Sequence, residues 1–112
     1  MLFRSETHLF RITQEALTNI ARHSGATAAW VALHVEENGV SLTIEDNGRG
    51  LDLADERKTS SLGMVGMRAR ARHVDGELVV ENRKEGGLRV RVDAPLQKAE
   101  LDVEQEDPSI VG

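Results

Sequence analysis

The 112-residue sequence contains no cysteine, no tyrosine and only three aromatic residues. The absence of cysteine excludes disulfide bonds and thiolate metal sites, and it is typical of a protein from a reducing compartment. No apolar run approaches the ~20 residues that cross a bilayer, and the N-terminus lacks the pattern of a secretory signal. We therefore expect a cytoplasmic domain with an aliphatic core, whose parent protein can still be anchored at the inner membrane.

The net charge of −5 is concentrated at the C-terminal end of the chain. Between Gln97 and Gly112, five acidic residues accompany a single lysine, so this segment carries −4 and the rest of the chain about −1. A body with so little charge is not a nucleic-acid binder by bulk electrostatics. We predict one domain over residues 1–96 and an acidic, disordered tail over residues 97–112.

The hydrophobic pattern predicts the element order α-β-β-loop-α-β-β. Helical spacing predicts helices at 5–23 and at 63–73 or 64–73, whereas alternation predicts strands at 27–36, 40–45, 78–80 and 88–92. Turns are expected at Glu37-Asn38-Gly39 and at Glu85-Gly86-Gly87. This order indicates an α/β (α+β) fold, a two-layer sandwich with helices on one face of a mixed, mostly antiparallel sheet.

Asp46 is the clearest candidate for a ligand-binding residue. It has the alternation parity of Val40, Leu42 and Ile44, so its side chain is expected on the buried face of the second strand. A buried carboxylate must be hydrogen-bonded, and the exocyclic amine of adenine is one donor that would satisfy it. Nearby Gly48 and Gly50 would let the backbone approach such a ligand closely.

The segment from Asp46 to Leu62 is predicted to be a long loop, because it is rich in Gly, Asp, Ser and Lys and has no regular period. Compact domains rarely keep a structureless loop of about 15 residues unless it has a function. The simpler interpretation, an Asp-Asn-Gly hairpin turn, requires an alternating strand directly afterwards. Residues 49–56 do not supply one, which favours a ligand-binding loop.

Two helix segments add weaker candidates. On the first helix, Glu15, Asn19 and His23 lie on the polar face or at its border. The Asn19 amide oxygen could bind Mg²⁺, although a packing or capping role explains an isolated E-x-x-x-N more simply. The second helix begins at Gly63-Met64-Val65-Gly66-Met67, where free N–H groups could bind phosphate. A flexible helix entry is the simpler alternative there, and the three arginines that follow, Arg68, Arg70 and Arg72, are typical of a solvated basic helix.

Together and in this order, E-A-L-T-N-I-A-R-H-S, D-N-G-R-G, S-L-G-M-V-G-M-R and E-G-G-L-R-V-R-V resemble the motifs of the GHKL ATPase family. More narrowly, they are similar to the catalytic domains of the nitrate-sensor class of two-component sensor histidine kinases. The resemblance runs from about Leu9 to Leu96. It implies the Bergerat ATP-binding fold, the cofactors ATP and Mg²⁺, and presentation of the ATP γ-phosphate to a histidine.

The resemblance also implies residue roles. It assigns catalytic roles to Glu15 and Asn19, with Asn19 as the Mg²⁺ ligand, and it places a mobile lid over the phosphates beside the second glycine box. It implies ATP contacts at Asn19, His23, Asp46, Gly48, Gly50, Gly63, Met64, Gly66 and Met67. Relatives usually carry Thr after the last glycine turn, where this chain has Leu88. This difference bears on the water network around adenine, not on the contact with Asp46.

The implied partners are a histidine-bearing dimerisation domain of the same parent protein and a response-regulator receiver domain. None of the four histidines, His8, His23, His34 and His73, lies in the family's acceptor motif. We therefore expect an N-terminally truncated, monomeric fragment that binds nucleotide without autophosphorylating. Two alternatives remain open, a GHKL serine kinase of the anti-sigma type and a degenerate, non-catalytic module that binds nucleotide or partners. The R-I-T-Q-E-A and G-M-V-G-M-R sequences favour the histidine kinase.

Overall fold

The computed structural model describes residues 4–96, so the predicted acidic tail lies outside the described residues. Three helices and four strands follow one another along this part of the chain. They are α1 (Arg4–Asn19), β1 (Ala29–Val35), β2 (Gly39–Asp46), α2 (Glu56–Ser61), α3 (Met64–His73), β3 (Glu77–Asn82) and β4 (Leu88–Pro95), with a π-helical turn at Ile20–Ser24 after α1. Within residues 4–96, no helix is long and apolar enough to cross a bilayer.

The four strands form one sheet in the order β1-β2-β4-β3. The register places Val31 beside Ile44, Ile44 beside Val90 and Val90 beside Val80, so one apolar row crosses the whole sheet. The predicted α+β fold is confirmed. The expected mixed sheet is not seen among the described strands, because all three pairings are antiparallel. Two hairpins make β1 antiparallel to β2 and β3 antiparallel to β4. The helical connection after β2 places β3 at the far edge of the sheet, so β4 lies between β2 and β3 and is antiparallel to both.

The hydrophobic core lies between the sheet and the pair α1 and α3. Alternate residues of β2 and β4 point toward the helices, as the sequence pattern predicts. The most deeply buried side chains are Ile12 of α1, Ile44 of β2, Met67 of α3 and Val92 of β4. Burying a side chain of this size stabilises the fold by about 1.5–3 kcal/mol. Within the described part of the chain, aliphatic residues and methionines therefore build the core, and Phe10 and Trp30 lie outside it.

The predicted long loop is partly wrong, because helix α2 lies inside it. Asp55 precedes this helix, and its carboxylate accepts hydrogen bonds from the backbone N–H groups of Arg57 (3.1 Å) and Lys58 (3.4 Å). No residue of α2 is buried. Helix prediction relies on a repeating apolar face, so a six-residue polar helix held by its cap gives no such signal.

Strand β1 forms one edge of the sheet, and all seven of its residues are exposed. Trp30, Val31, Leu33 and Val35 are each about half exposed, between 48% and 59%. Three of them, Val31, Leu33 and Val35, continue the apolar rows of the core beyond α1. The core-facing side of the sheet is thus wider than the helix layer above it.

Candidate functional site

A cavity of about 540 Å³ lies between α1, the C-terminal end of β2, the start of β4 and the segment that contains α2. This volume is within the ~300–1,000 Å³ of typical small-molecule sites. Its apolar lining consists of Ala16, Ile20, Ile44, Leu51, Leu62, Leu88 and Val90. Its polar lining consists of Asn19, His23, Ser24, Asp46, Arg49, Asp52, Lys58, Asn82 and Arg83. The shape suits a ligand with a flat apolar part and a charged part.

Asp46 lies at the end of β2 and lines this cavity. Only 2% of the residue is exposed, and it is the one buried charged residue among residues 6–96, whose burial the structure describes. One carboxylate oxygen, Oδ1, accepts a hydrogen bond from the backbone N–H of Gly48 at 2.7 Å. An ionised carboxylate can accept about four hydrogen bonds, so the group retains capacity for a donor in the cavity. The predicted inward orientation of Asp46 is confirmed.

Two glycines allow backbone segments to meet around Asp46. A Cβ atom added at Gly48 would overlap the carbonyl oxygen of Ser24, which follows α1. A Cβ atom added at Gly87, in the β3–β4 turn, would overlap the carbonyl oxygen of Asp46 itself. Any side chain at either position would force these backbones apart. The loop after β2 is therefore packed between the end of the first helical segment and the last hairpin.

Asn19 connects α1 to the far side of the cavity. Its amide nitrogen Nδ2 donates a hydrogen bond to the carbonyl oxygen of Leu62 at 2.6 Å. In this orientation the amide oxygen Oδ1 is the atom left to accept a donor or to bind a cation. Glu15, one turn earlier, does not line the cavity. Its carboxylate lies against Gly63, where an added Cβ atom would meet it at 2.5 Å.

The structure brings together only part of the predicted ATP-binding set. Four of these residues line the cavity, namely Asn19, His23, Asp46 and Gly50. Gly48 lies behind the Asp46 carboxylate and donates to it. The remaining four, Gly63, Met64, Gly66 and Met67, are at the start of α3 and do not line the cavity.

Met64 and Met67 are core residues in this structure, 3% and 1% exposed. Neither residue presents appreciable surface to a nucleotide in this structure. Gly66 is different, because a Cβ atom added there would meet nothing within 4 Å. The predicted roles of these α3 residues in ATP binding stay predictions.

Asn82, the last residue of β3, lines the cavity although no sequence pattern predicted it to be in the site. Its side-chain amide accepts a hydrogen bond from the N–H of Leu51 at 2.9 Å and donates one to the carbonyl of Leu51 at 2.8 Å. Asn82 thus holds one end of the lid segment, which we define as residues 51–62, while Asn19 holds the other end through Leu62. No local pattern indicates this pairing, because its partners are 31 residues apart.

Positive charge reaches the cavity from three residues that were not predicted to be in the site, Arg49, Lys58 and Arg83. Lys58 lies on α2 of the lid segment, and Arg49 follows the Asp46 loop. The Arg49 backbone N–H donates to the carbonyl of Ser24 at 3.0 Å, which fixes the loop at that point. Cationic side chains of this kind form strong, charge-assisted hydrogen bonds with phosphate oxygens. The three arginines of α3 do not line the cavity.

The chain matches a known family over nearly the whole described region. The family profile of histidine kinase-, DNA gyrase B- and HSP90-like ATPases matches residues 4–98. The sensor protein VraS of Staphylococcus epidermidis is 42% identical over 95 residues, which is 85% of this chain and 27% of that protein. VraS of Staphylococcus aureus is 40% identical over 93 residues, 83% of this chain and 26% of that protein. The chain therefore spans about a quarter of the length of these relatives.

Solved structures with the same fold include ATP-binding domains and kinases. The ATP binding domain of PrrB from Mycobacterium tuberculosis superimposes with a TM-score of 0.70 at 25% identity, covering 83% of this chain and 70% of that chain. The blue-light activated histidine kinase EL346 of Erythrobacter litoralis superimposes with a TM-score of 0.68 at 26% identity, covering 87% of this chain and 32% of that chain.

Proposed function

We propose that this chain binds Mg·ATP with the adenine amine on Asp46. It belongs to the histidine kinase-, DNA gyrase B- and HSP90-like ATPase family and is the ATP-binding catalytic domain of a sensor histidine kinase. The observation that carries this proposal is a buried carboxylate with spare acceptor capacity at the end of an apolar cavity. Without a donor from a ligand or water, such a group would be costly to bury.

The cavity lining supports this orientation of the base. The apolar side chains of Ile44, Leu88 and Val90 lie on the sheet side, close to Asp46, and Ile20 lies opposite on the first helical segment. A purine placed between these walls would bury its faces against aliphatic carbon and direct its exocyclic amine toward the carboxylate. Leu88, where relatives usually carry Thr, contributes apolar surface here and no hydroxyl group.

The triphosphate would extend toward the lid segment. Asn19 lies on that side, and its free amide oxygen is a suitable neutral ligand for a Mg²⁺ ion already bound to phosphates. When bound, Mg²⁺ would neutralise phosphate charge and help to orient the γ-phosphate. Lys58 would pair with phosphate oxygens from the lid. Glu15, which lies against Gly63 at the start of α3, would be a polar neighbour of this region.

Phosphoryl transfer depends on positioning and charge neutralisation more than on a protein nucleophile. We propose that the γ-phosphate is presented to a histidine on a dimerisation domain of the parent protein, and that the phosphoryl group then passes to a response-regulator receiver domain. The order and the sequences of the motifs favour a parent kinase of the nitrate-sensor class. The proposed catalytic domain comprises residues 1–96, and the acidic segment at 97–112 is assigned no part in catalysis.

The relatives decide between two of the alternatives. Proteins that are 40–42% identical to this chain are sensor proteins, which favours the histidine kinase over an anti-sigma serine kinase. A degenerate module without nucleotide binding remains a distinct hypothesis, and the open, apolar cavity beside Asp46 argues against it.

A titration with a fluorescent ATP analogue, with and without Mg²⁺, tests the proposal. We expect wild-type protein to bind more tightly with Mg²⁺, and Asn19→Ala to lose most of this Mg²⁺ dependence while retaining ADP binding. Asn19 also anchors the lid segment, so Asn82→Ala is the matched control, because it removes the anchor at the other end and no proposed Mg²⁺ ligand. An Mg²⁺ response that is equal in Asn19→Ala and wild type would remove Asn19 from the site. Absence of nucleotide binding in wild type would refute the function itself.

A further inference from the structure

Arg83 is an unusual feature of the β3–β4 turn. It lines the cavity, and only 12% of its side chain is exposed. The guanidinium nitrogen NH1 donates to the backbone carbonyl of Asp46 at 2.7 Å and to that of Gly86 at 3.2 Å. The family motifs in the sequence do not include this residue. The only carboxylate it pairs with in the described region is Glu85, at 3.2 Å.

The guanidinium is held in place from several directions. It lies over the ring of Trp30 on β1, 5.0 Å from the ring centroid, which is within the range of a cation–π contact. Its Nε atom is buried and has no hydrogen-bond partner among residues 4–96. A buried donor left without a partner destabilises the folded protein. Keeping the guanidinium at this place therefore leaves one donor uncompensated, and natural proteins accept such local costs at functional positions.

Arg83 and Gly87 together enclose the backbone carbonyl of Asp46. Arg83 donates to this oxygen, and Gly87 lies so close that any side chain would displace it. Fixing the carbonyl fixes the peptide plane after Asp46 and hence the direction in which its side chain leaves the backbone. The Gly48 N–H holds Oδ1 at the other end of the side chain. The carboxylate is thus set between two fixed points before any ligand enters.

We propose that Arg83 is a positioning residue for recognition of the adenine amine, acting through Asp46. This inference rests on the proposed function, because it requires that Asp46 binds the exocyclic amine of ATP. Arginine suits the position since its planar fork can donate to two carbonyl oxygens while it stacks on an aromatic ring. Lysine would keep the charge but lose this geometry. Arg83 itself need not touch the nucleotide.

A purely structural role makes a different prediction. If Arg83 only tied the hairpin to the end of β2, its loss would weaken all nucleotides equally or simply lower the thermal stability. A positioning role instead concerns the amine alone. The relevant comparison is therefore between ATP and purine riboside triphosphate, which lacks the exocyclic amine and is otherwise the same.

The test measures Kd for both ligands by calorimetry on the 112-residue chain. Arg83→Met keeps the length of the side chain and removes its donors, and Arg91→Met is the control, an arginine on the sheet's other face that pairs with Asp93 and does not contact Asp46. We expect Arg83→Met to weaken ATP about tenfold, the size of one lost hydrogen bond to a charged group, and the analogue less than about threefold. Arg91→Met should change neither ligand.

Two further measurements complete the design. In an Asp46→Asn background, Arg83→Met should cause no additional loss for ATP, because the two residues act on the same contact. The fluorescence of Trp30, the only tryptophan, reports whether the guanidinium has left its ring. If Arg83→Met does not fold, Arg83→Lys provides the same comparison and should show a smaller, still ATP-selective loss.

Equal losses for ATP and the analogue, or no loss for either, would overturn the role of Arg83. The outcome is separable from a failure of the proposed function. If Asp46→Asn leaves ATP binding unchanged, the adenine contact is wrong. If Asp46→Asn weakens ATP but neither Arg83 variant does so selectively, the adenine contact stands and only the positioning role is wrong.

Discussion

Replacing Asp46 by Asn isolates the proposed adenine contact better than replacing it by Ala. Asparagine has almost the same shape, and its oxygen can still accept the hydrogen bond from the Gly48 N–H that the structure shows at 2.7 Å. The amide nitrogen then takes the place of the second carboxylate oxygen and presents donors to the cavity. Alanine would remove the Gly48 bond as well, which would confuse loss of recognition with loss of loop order.

The expected effect follows from the chemistry of the pair. ATP offers an amine donor at this point, so Asp46→Asn replaces a charge-assisted hydrogen bond by two donors that face each other. A hydrogen bond to a charged group contributes about 1.5–3 kcal/mol, which corresponds to an affinity loss of about ten- to a hundred-fold. ITP carries a carbonyl oxygen at the same position of its base. That oxygen can accept from the new amide, so ITP should lose much less affinity or gain some.

Calorimetric titration of both nucleotides checks this expectation. The ratio of the ITP and ATP dissociation constants should fall at least about tenfold in Asp46→Asn, the lower end of that free-energy range. Asp93→Asn makes the same chemical change on the opposite face of the sheet, outside the cavity lining, and should leave the ratio as in wild type. The reasoning would be refuted if a folded Asp46→Asn protein bound ATP within about twofold of wild type, or if it lost ATP and ITP equally.

Two predictions concern surfaces away from the site. Leu33→Lys, on the exposed edge strand β1, should reduce self-association at high concentration without changing ATP affinity, because charged side chains protect open sheet edges. Light scattering over a concentration series measures the self-association, and equal association in the variant and wild type would contradict the prediction. Asp93→Asn should remove a small part of the acid sensitivity of folding. The hydrogen bond from Arg91 lowers the pKa of Asp93, so this carboxylate stabilises the fold above its unfolded pKa and loses that effect as the pH falls through the lower folded pKa. The effect is small because the side chain is half exposed, and urea unfolding across the acidic range should show a slightly shallower pH dependence in the variant.

What the sequence could predict depended on local periodicity. The strands and the two main helices follow from alternation and helical spacing, and the parity of Asp46 in β2 was enough to place a carboxylate inside the protein. The end of the first helix was less regular than its apolar stripe suggests, since α1 changes to a π-helical turn at Ile20. This change adds a residue to one turn where Ile20 and His23 line the cavity.

The rest could not be predicted because it consists of contacts between distant parts of the chain. Asn19 donates to Leu62, 43 residues away, and Arg83 donates to Asp46, 37 residues away. Neither contact leaves a periodic trace, since it depends on which loops the fold brings together. Resemblance to a family could indicate Asn19, because that residue lies in a recognised motif. It could not indicate Arg83, which lies between motifs.

The glycines of the motifs serve two different purposes, which the structure separates. Gly48 and Gly87 lack side chains because other backbone segments already fill the space, at Ser24 and at Asp46. Packing within the protein is enough to require glycine at both positions, so their presence says little about a ligand. Gly66 has open space where a Cβ atom would stand, yet glycine in a helix is about 1 kcal/mol less favourable than alanine. No contact within the described protein explains that cost, so the approach of a phosphate to the first turn of α3 stays the predicted reason for a glycine at this position.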